Sequence, residues 1–183
     1  MPFVPVATEA YWQSYLEALD EGFFISGFPR PSADELAAAK AEPATFFAAL
    51  RNPPSPMRLA NGECVDRPPT TVLWWVDGPD FIGAIEIRHV LSSAMVAAYG
   101  GHMSVGIRPS RKGRGYFKQM RPKALEIAAG LGIERLMVTV RADNVAARRV
   151  IEASGAIFMD EVPVPYSKHP AILRRYINAL KRP

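Results

Sequence analysis

The segment from Ser110 to Tyr116 reads SRKGRGY and combines two glycines with three cationic side chains. Because glycine has no side chain, the backbone N–H groups of such a segment can approach a ligand closely and converge on an anion. A helix is predicted to begin directly after it, and a helix start aims unpaired N–H groups and a positive dipole end at the same point. This pattern is typical of a loop that binds a phosphate or pyrophosphate. Its candidate binding residues are Arg111, Lys112, Gly113, Arg114 and Gly115.

The charge around the loop is one-sided. No Asp or Glu occurs from Ile87 to Leu125, in a chain of net charge +4. A positive field of this kind suits a polyanionic ligand, and a solvated basic face is the alternative interpretation. The cations of the stretch are Arg88, Arg108, Arg111, Lys112, Arg114, Lys118, Arg121 and Lys123.

Two known phosphate-binding motifs do not fit this loop. A P-loop needs four residues between its glycines and then Gly-Lys-Ser/Thr, whereas only Arg114 separates Gly113 from Gly115. The dinucleotide fingerprint Gly-x-Gly-x-x-Gly needs a third glycine where this chain has Lys118. An NTPase and a dinucleotide-binding enzyme are therefore both disfavoured.

The elements that position the loop follow from hydrophobic periodicity. A strand at 102–109 precedes the loop, an amphipathic helix at 115–132 follows it, and a buried strand is predicted at 134–140. Strand, loop, helix and strand make a right-handed crossover, with the loop between a strand end and a helix start. Pro122 lies inside the helix and is predicted to kink it or to end its first turns.

The remaining elements complete a mixed α/β pattern. A hairpin is predicted from strands at 70–77 and 81–91, in which one of Trp74 and Trp75 faces the core and the other is a candidate wall of a binding site. A short helix or loop is predicted before the strand at 102–109. After residue 140 the prediction is a helix at 144–155 and closing strands at 156–164 and 171–180.

The chain before residue 70 is rich in proline and is predicted to be helical with long loops. A helix at 8–22 has Thr8 as a plausible N-cap, and a second helical segment at 31–50 starts with a capping box of Ser32 and Glu35. Pro43 is predicted to break that segment in two. The stretch 51–69 is predicted to be loop.

Composition limits the cellular setting and the cofactors. Cys64 is the only cysteine, so no internal disulfide and no thiolate metal cluster can form, and a reducing, cytoplasmic setting is expected. The start MPFVPVATEAYW lacks a basic region and a long apolar run, so neither a signal peptide nor membrane association is expected. No metal is expected.

The motif SVGIRPSRKGRGYF, followed later by NVAARRVIEASGA, resembles the GNAT superfamily of acyl-CoA N-acyltransferases. The pyrophosphate loop of that family runs Arg/Gln-x-x-Gly-x-Gly/Ala after a hydrophobic strand. Here Lys112 stands in place of Arg/Gln, and Phe117 stands in place of the final small residue. The stretches GAIEIRHVL and YGGHMSVGIRP are similar to a bacterial branch of acetyltransferases that carries Arg-His on one strand and Gly-Gly-His on the next.

The resemblance covers about residues 70–178 and implies a fold. The expectation is a single domain over 1–183, with a cofactor-binding core at 70–178 and an N-terminal helical and loop portion at 1–65 that walls the acceptor site. The implied class is mixed α/β, with a central, mostly antiparallel sheet, one splayed parallel strand pair and helices on both faces.

The resemblance also implies acetyl-CoA as co-substrate and assigns residues to it. The backbone of Val105 and Ile107 is expected to hold the acetyl carbonyl and the pantetheine amides, and Gly106 between them is expected to allow a bulge that opens the gap. Tyr116 aligns close to the cofactor. Asn144 matches a family asparagine that touches the pantetheine side, with a plain N-cap as the alternative.

Either Arg148 or Arg149 is expected to reach the 3′-phosphate of the adenosine. The candidates for the base that takes a proton from the acceptor amine are His102, Glu86 and His89. The alternative for both histidines is a structural hydrogen bond. Many relatives place a tyrosine, as the acid for the thiolate, at the position of Ile151, so that acid is absent here.

The implied function is acetyl transfer from acetyl-CoA to a primary amine of a small molecule or peptide, by direct attack in a ternary complex. A non-catalytic acyl-CoA-binding or regulatory module is the alternative. A nucleic-acid binder is disfavoured, because the cations gather at one loop–helix junction and the chain lacks a recognition helix. The chain is expected to act as a monomer or a homodimer.

Overall fold

A computed structural model describes residues 1–25, 31–53, 55–58, 62, 64–165 and 170–181. Its helices are α1 (Trp12–Asp20), α2 (Ala33–Ala41), α3 (Pro43–Arg51), α4 (Tyr116–Gly130) and α5 (Val145–Ala153). Its strands are β1 (Phe3–Pro5), β2 (Met57–Arg58), β3 (Cys64–Val65), β4 (Thr70–Asp77), β5 (Asp80–Arg88), β6 (Met103–Ile107), β7 (Arg135–Arg141), β8 (Ile157–Pro163) and β9 (Ile172–Ala179). Within these ranges, no helix has both the length and the apolar character needed to cross a membrane.

The described residues group into two compact units. The first takes them from Met1–Pro54, Val72–Glu86 and Val105–Tyr116. The second takes them from Ser55–Thr71, Ile87–Ser104 and Phe117–Pro183.

Four strands form one sheet in the order β1-β4-β5-β6. The short strand β1 pairs antiparallel with β4, with Phe3 opposite Trp75. Backbone bonds join Arg88 N–H to the His102 carbonyl at 2.7 Å and Arg108 N–H to the Ile82 carbonyl at 2.8 Å. The end of β5 thus bonds to the residue before β6, and the beginning of β5 bonds to the residue after β6. These two strands are therefore antiparallel.

The core of the first unit is a cluster of aromatic rings. Tyr15 stacks on Trp74 with ring centroids 4.5 Å apart, and Phe23 meets Phe81 edge-on at 4.9 Å. Trp75, on the other side of the strand, packs edge-on against Phe3 at 4.7 Å. Both tryptophans are only 1% exposed, so the expectation that one of them lines a binding site is wrong.

The capping predictions for the N-terminal helices hold except at Thr8, which makes no side-chain cap hydrogen bond and precedes a 3₁₀ turn at 9–11, so that α1 begins only at Trp12. Ser32 Oγ accepts from Glu35 N–H while the Glu35 carboxylate accepts from Ser32 N–H, which is the predicted capping box. Pro43 occupies the first turn of α3, so the predicted break falls between α2 and α3. Gly22 has a φ of +84° just after α1, as a helix-ending glycine should.

The second unit contains a three-stranded antiparallel sheet in the order β7-β9-β8. The central strand β9 pairs Tyr176 with Val138 on one side and with Phe158 on the other. The helix α4 is continuous across Pro122, so the proline does not end it. Arg121, beside it, is buried and donates to Ser154 Oγ at 2.6 Å.

The mixed α/β class, with antiparallel sheets and flanking helices, is confirmed. The strands divide between two larger sheets rather than one, with β6 and β7 in different sheets. Three strands were not predicted: β1, and the short antiparallel pair of β2 and β3 inside the stretch expected to be loop.

Candidate functional site

The glycine loop is open and exposed. Gly113 and Gly115 have φ values of +76° and +77°, in the left-handed region that disfavours other residues. No heavy atom lies within 4 Å of a Cβ built on either glycine, so empty space faces the loop. Lys112 and Arg114 are exposed as well. The main-chain amides here are therefore accessible to an anion.

The cations of the basic stretch fall into two groups. Arg88, Arg108, Arg111 and Arg121 form hydrogen bonds or ion pairs within the protein, and Lys123 also has an interaction partner. Arg111 pairs with Asp80, so its charge is neutralised and it does not add to the loop as expected. By contrast, Lys112, Arg114 and Lys118 are exposed and have no partner among the residues that the structure describes. The unneutralised charge is thus concentrated on the loop and the first turn of α4.

Gly106 of β6 is needed for close packing. A Cβ on this residue would lie 2.5 Å from the Phe24 carbonyl oxygen and 2.9 Å from the Phe23 ring. A Cβ on Gly83 of β5 would collide with the Gly106 carbonyl oxygen. The chain after α1 therefore lies directly on the backbone of β6, and the bulge expected at Gly106 stays a prediction. Val105 and Ile107, on either side, are partly exposed.

His102 is held by the start of β7 in the second unit. Its Nδ1 accepts from Met137 N–H at 3.0 Å, and its backbone N–H donates to the Met137 carbonyl at 2.8 Å. Burial lowers the pKa of His102, and the nearby charge of Arg88 lowers it further. Because a backbone N–H occupies Nδ1, the neutral ring carries its proton on Nε2. His102 is thus prepared to donate a hydrogen bond at Nε2.

Arg88 fixes the turn in front of β6. Its guanidinium donates to the Gly101 carbonyl and to Ser104 Oγ, each at 3.0 Å, from a buried position. The sequence analysis predicts no structural role for Arg88 beyond its charge. Arg88 ends a strand of buried apolar residues, and this position could have indicated that its side chain is buried and bonded within the protein.

The other two candidate bases differ in their surroundings. His89 Nε2 lies 2.9 Å from Thr71 Oγ1, and His89 N–H donates to the Pro69 carbonyl. The structural alternative therefore holds for at least one ring nitrogen of each histidine. Glu86 is a carboxylate of β5 in the first unit and is 2% exposed.

The residues expected to contact the adenosine and pantetheine sides have local partners. Asn144 Oδ1 accepts from Ala147 N–H at 3.1 Å, which confirms the N-cap interpretation. Arg148 donates to the Ala142 carbonyl at 2.8 Å and lies 4.0 Å from the Glu152 carboxylate. Arg149 is exposed. The roles of Asn144 and Arg148 toward a cofactor stay predictions.

An open, cationic glycine loop at a helix start, in a mixed α/β fold, is typical of proteins that bind a phosphorylated ligand through main-chain amides. The chain belongs to the acetyltransferase (GNAT) family, whose model matches residues 12–156. The predicted resemblance is therefore confirmed. Membership makes the protein an acetyl-CoA-dependent N-acetyltransferase by class, with acetyl-CoA as its co-substrate.

Solved structures agree in fold. The yncA protein from Salmonella typhimurium, in a structure with its cofactor acetyl-CoA, is 13% identical with a TM-score of 0.60 and covers 100% of this chain and 94% of its own. Spermidine N-acetyltransferase SpeG from Vibrio cholerae, in a mutant form, is 11% identical with a TM-score of 0.61, covering 98% of this chain and 95% of its own.

Ribosomal-protein-alanine N-acetyltransferase from Brucella melitensis is 13% identical with a TM-score of 0.62, covering 98% of this chain and 100% of its own. At such low identity these likenesses show the fold alone. No curated protein matches the sequence significantly.

Proposed function

We propose that the protein transfers the acetyl group of acetyl-CoA to a primary amine of a small molecule or peptide, by direct attack in a ternary complex. The observation that carries this proposal is the loop at 112–115. It combines exposed amides, two left-handed glycines and cations without partners among the described residues, in a chain of the acetyltransferase family.

The loop fits the diphosphate of CoA in shape and in charge. The empty space beside Gly113 and Gly115 lets the amides of Gly113, Arg114 and Gly115 reach phosphate oxygens directly. The start of α4 adds its unpaired N–H groups. Lys112 and Arg114 supply full charges at the same place. In the proposed complex, the backbone of Val105 and Ile107 pairs with the pantetheine arm.

The transfer itself needs a neutral amine, a polarised carbonyl and a proton for the thiolate. The amine nitrogen attacks the acetyl carbonyl carbon, so a C–N bond forms and the C–S bond breaks. The amine loses one proton to a base and the departing thiolate gains one. We assign the base to Glu86, which is 2% exposed and would therefore take the proton through a water rather than by direct contact, with His89 as the alternative.

His102 does not fit the task of the base. With Nδ1 occupied by Met137 N–H, the neutral ring carries its proton on Nε2 and has no free nitrogen that could accept the proton of the amine. A neutral imidazole is too weak an acid to give up that proton to a thiolate, so water is the proposed source of the thiol proton. Ile151, at the position where relatives carry a tyrosine acid, is buried and offers no proton.

Two of the structural neighbours indicate the acceptor class. One is an N-acetyltransferase of spermidine and the other of ribosomal-protein alanine, and both names imply an amino group as acceptor. The acceptor proposed here is therefore a primary amine, and the panel that tests it should include a polyamine and a peptide with N-terminal alanine.

The test is made in two steps on the wild-type protein. Thermal unfolding with CoA, ATP or a DNA oligonucleotide should give a rise in Tm that is selective for CoA. Release of free thiol from acetyl-CoA should then appear with at least one member of the amine panel. A rise with DNA but not with CoA would exclude the proposal.

The second candidate is a non-catalytic acyl-CoA-binding module. The apolar Ile151, where relatives have a tyrosine acid, favours it. Tight CoA binding without thiol release across the whole panel would support this candidate over the enzyme.

A further inference from the structure

The carboxylate of Glu21 joins the end of α1 to the start of the glycine loop. One of its oxygens accepts from Arg108 Nε at 2.7 Å, and the other accepts from Ser110 N–H at 3.0 Å. The two donors lie on either side of Pro109, immediately before the residues that are proposed to hold the diphosphate. A single side chain, distant in sequence, thus forms hydrogen bonds with two residues at the start of the loop.

The Ser110 N–H needs such a partner. Residues Pro109–Arg111 form a 3₁₀ turn, in which Arg111 N–H and Lys112 N–H bond back to the Arg108 and Pro109 carbonyls. Proline has no N–H, so Ser110 presents the first unpaired donor of the turn. The Glu21 carboxylate satisfies it as an N-cap residue would, but from another element.

Arg108 completes the connection inside the first unit. It is 8% exposed, and its Nη1 donates to Ser14 Oγ at 2.9 Å. Ser14 Oγ also accepts from Phe81 N–H at 3.0 Å, which links α1 to β5. Glu17, in contrast, lies 3.4 Å from the guanidinium and its side chain is 50% exposed. Of the two carboxylates, Glu21 is therefore the one with a short bond to Arg108 and a bond to the loop.

The position of Glu21 does not serve α1 itself. It is the C-cap residue, where the negative end of the helix dipole opposes a carboxylate, and α1 has no basic residue in its last turn. Partial burial raises the pKa of Glu21, but hydrogen bonds from Ser110 and Arg108 outweigh it, so the pKa lies below its ordinary value. The carboxylate is thus stabilised by the loop and by Arg108.

The opposite side of the turn has its own anchor. Arg111 forms an ion pair with Asp80 at the start of β5. Glu21 thus holds Arg108 and Ser110, and Asp80 holds Arg111. The residues Lys112 and Arg114 that follow are exposed. The turn is rigidly attached, and the binding residues extend from it.

We propose that Glu21 is a positioning residue, which fixes the turn at 109–111 so that the amides at 113–115 are already arranged for the diphosphate of CoA. This inference rests on the proposed function. A preformed loop avoids the ordering cost that a flexible loop would meet on binding. The contribution of Glu21 should therefore appear only with ligands that carry the diphosphate.

The test compares affinities for CoA and for pantetheine, which lacks the diphosphate and the nucleotide. In Glu21→Ala, the affinity for CoA should fall about tenfold, the usual effect of losing hydrogen bonds to a charged group, while that for pantetheine stays constant. Glu21→Gln keeps an oxygen acceptor and should recover part of the loss. The matched control Glu17→Ala removes a carboxylate near the same guanidinium and should leave both affinities unchanged.

Calorimetric titration of the four proteins gives the affinities, and urea unfolding without ligand shows whether each variant is folded. The inference is overturned if Glu21→Ala binds CoA like wild type, or if CoA and pantetheine weaken in parallel. An equal loss in Glu17→Ala would also overturn it. If Glu21→Ala does not fold, Glu21→Gln decides by the same comparison. Wild-type protein that does not bind CoA would refute the proposed function and this inference with it.

Discussion

Substitution of Gly115 by glutamate tests the glycine loop against a matched glycine elsewhere in the chain. Gly132 follows α4, has a φ of +83° and, like Gly115, has no heavy atom within 4 Å of a built Cβ. Each substitution therefore forces a non-glycine residue into the left-handed region, at a cost to folding of roughly 1–2 kcal/mol. The two variants should lose similar stability, so a difference in CoA affinity between them cannot come from destabilisation.

The two variants should differ in binding CoA. A carboxylate at Gly115 meets the proposed diphosphate at a distance of about 4 Å, where each pair of like charges costs about 1 kcal/mol in water. Two negative charges on the diphosphate give a penalty of about 2 kcal/mol, or about 30-fold in affinity. The new side chain would also keep the diphosphate away from the main-chain amides sterically, which adds to the loss of affinity. Gly132→Glu should bind CoA like wild type.

Isothermal titration with CoA measures the affinities, and urea unfolding measures the free energy of unfolding of both variants. The loop assignment is refuted if Gly115→Glu keeps wild-type affinity. It is equally refuted if Gly132→Glu loses as much affinity as Gly115→Glu, because the loss would then come from the shared backbone strain or the added charge.

Gly106, His102 and Glu86 each give a further prediction. Gly106→Ala should lower the free energy of unfolding by about 1–3 kcal/mol, since the new Cβ meets the Phe24 carbonyl at 2.5 Å, and urea titration checks this. The lowered pKa of His102 means that the unfolded state binds its proton more readily, so the stability it contributes is complete above pH 6.5 and is lost as pH falls through the lower folded pKa. His102→Asn should flatten that decline below about pH 6.5, and an unchanged slope there would contradict it. Glu86→Gln should lower kcat at least about 100-fold with little change in the KM for acetyl-CoA, in a thiol-release assay with an accepted amine.

The elements that the sequence predicted best are those with local signals. The limits of β4 coincide with the predicted strand 70–77, because a run of β-branched and aromatic residues ends at a turn with Gly78 at a φ of +55°. The helix α4 and the glycine loop before it were likewise readable, since both depend on neighbours in sequence. The three-residue strand β1 was missed, because it exists only by pairing with β4 far along the chain.

The sequence predicted the glycine loop of the candidate site, but not the residues that hold this loop in place. Glycine and cation spacing indicate an anion-binding loop, but nothing in the local pattern separates Arg108 and Arg111, which are neutralised, from Arg114, which is not. Their partners lie at the end of α1 and at the start of β5. For the same reason the sequence does not predict which nitrogen of His102 carries the proton, because that depends on Met137, a residue of another strand.

The exposed cations of the loop also affect how fast a ligand arrives. Lys112, Arg114 and Lys118 have no acidic partner in the described part of the chain, so their combined potential extends into the solvent. An anion approaching this surface is attracted over a distance of about one Debye length, roughly 8 Å at physiological salt. Capture of a polyanion by this surface is thus electrostatically steered, and its association rate should depend more steeply on ionic strength than its dissociation rate.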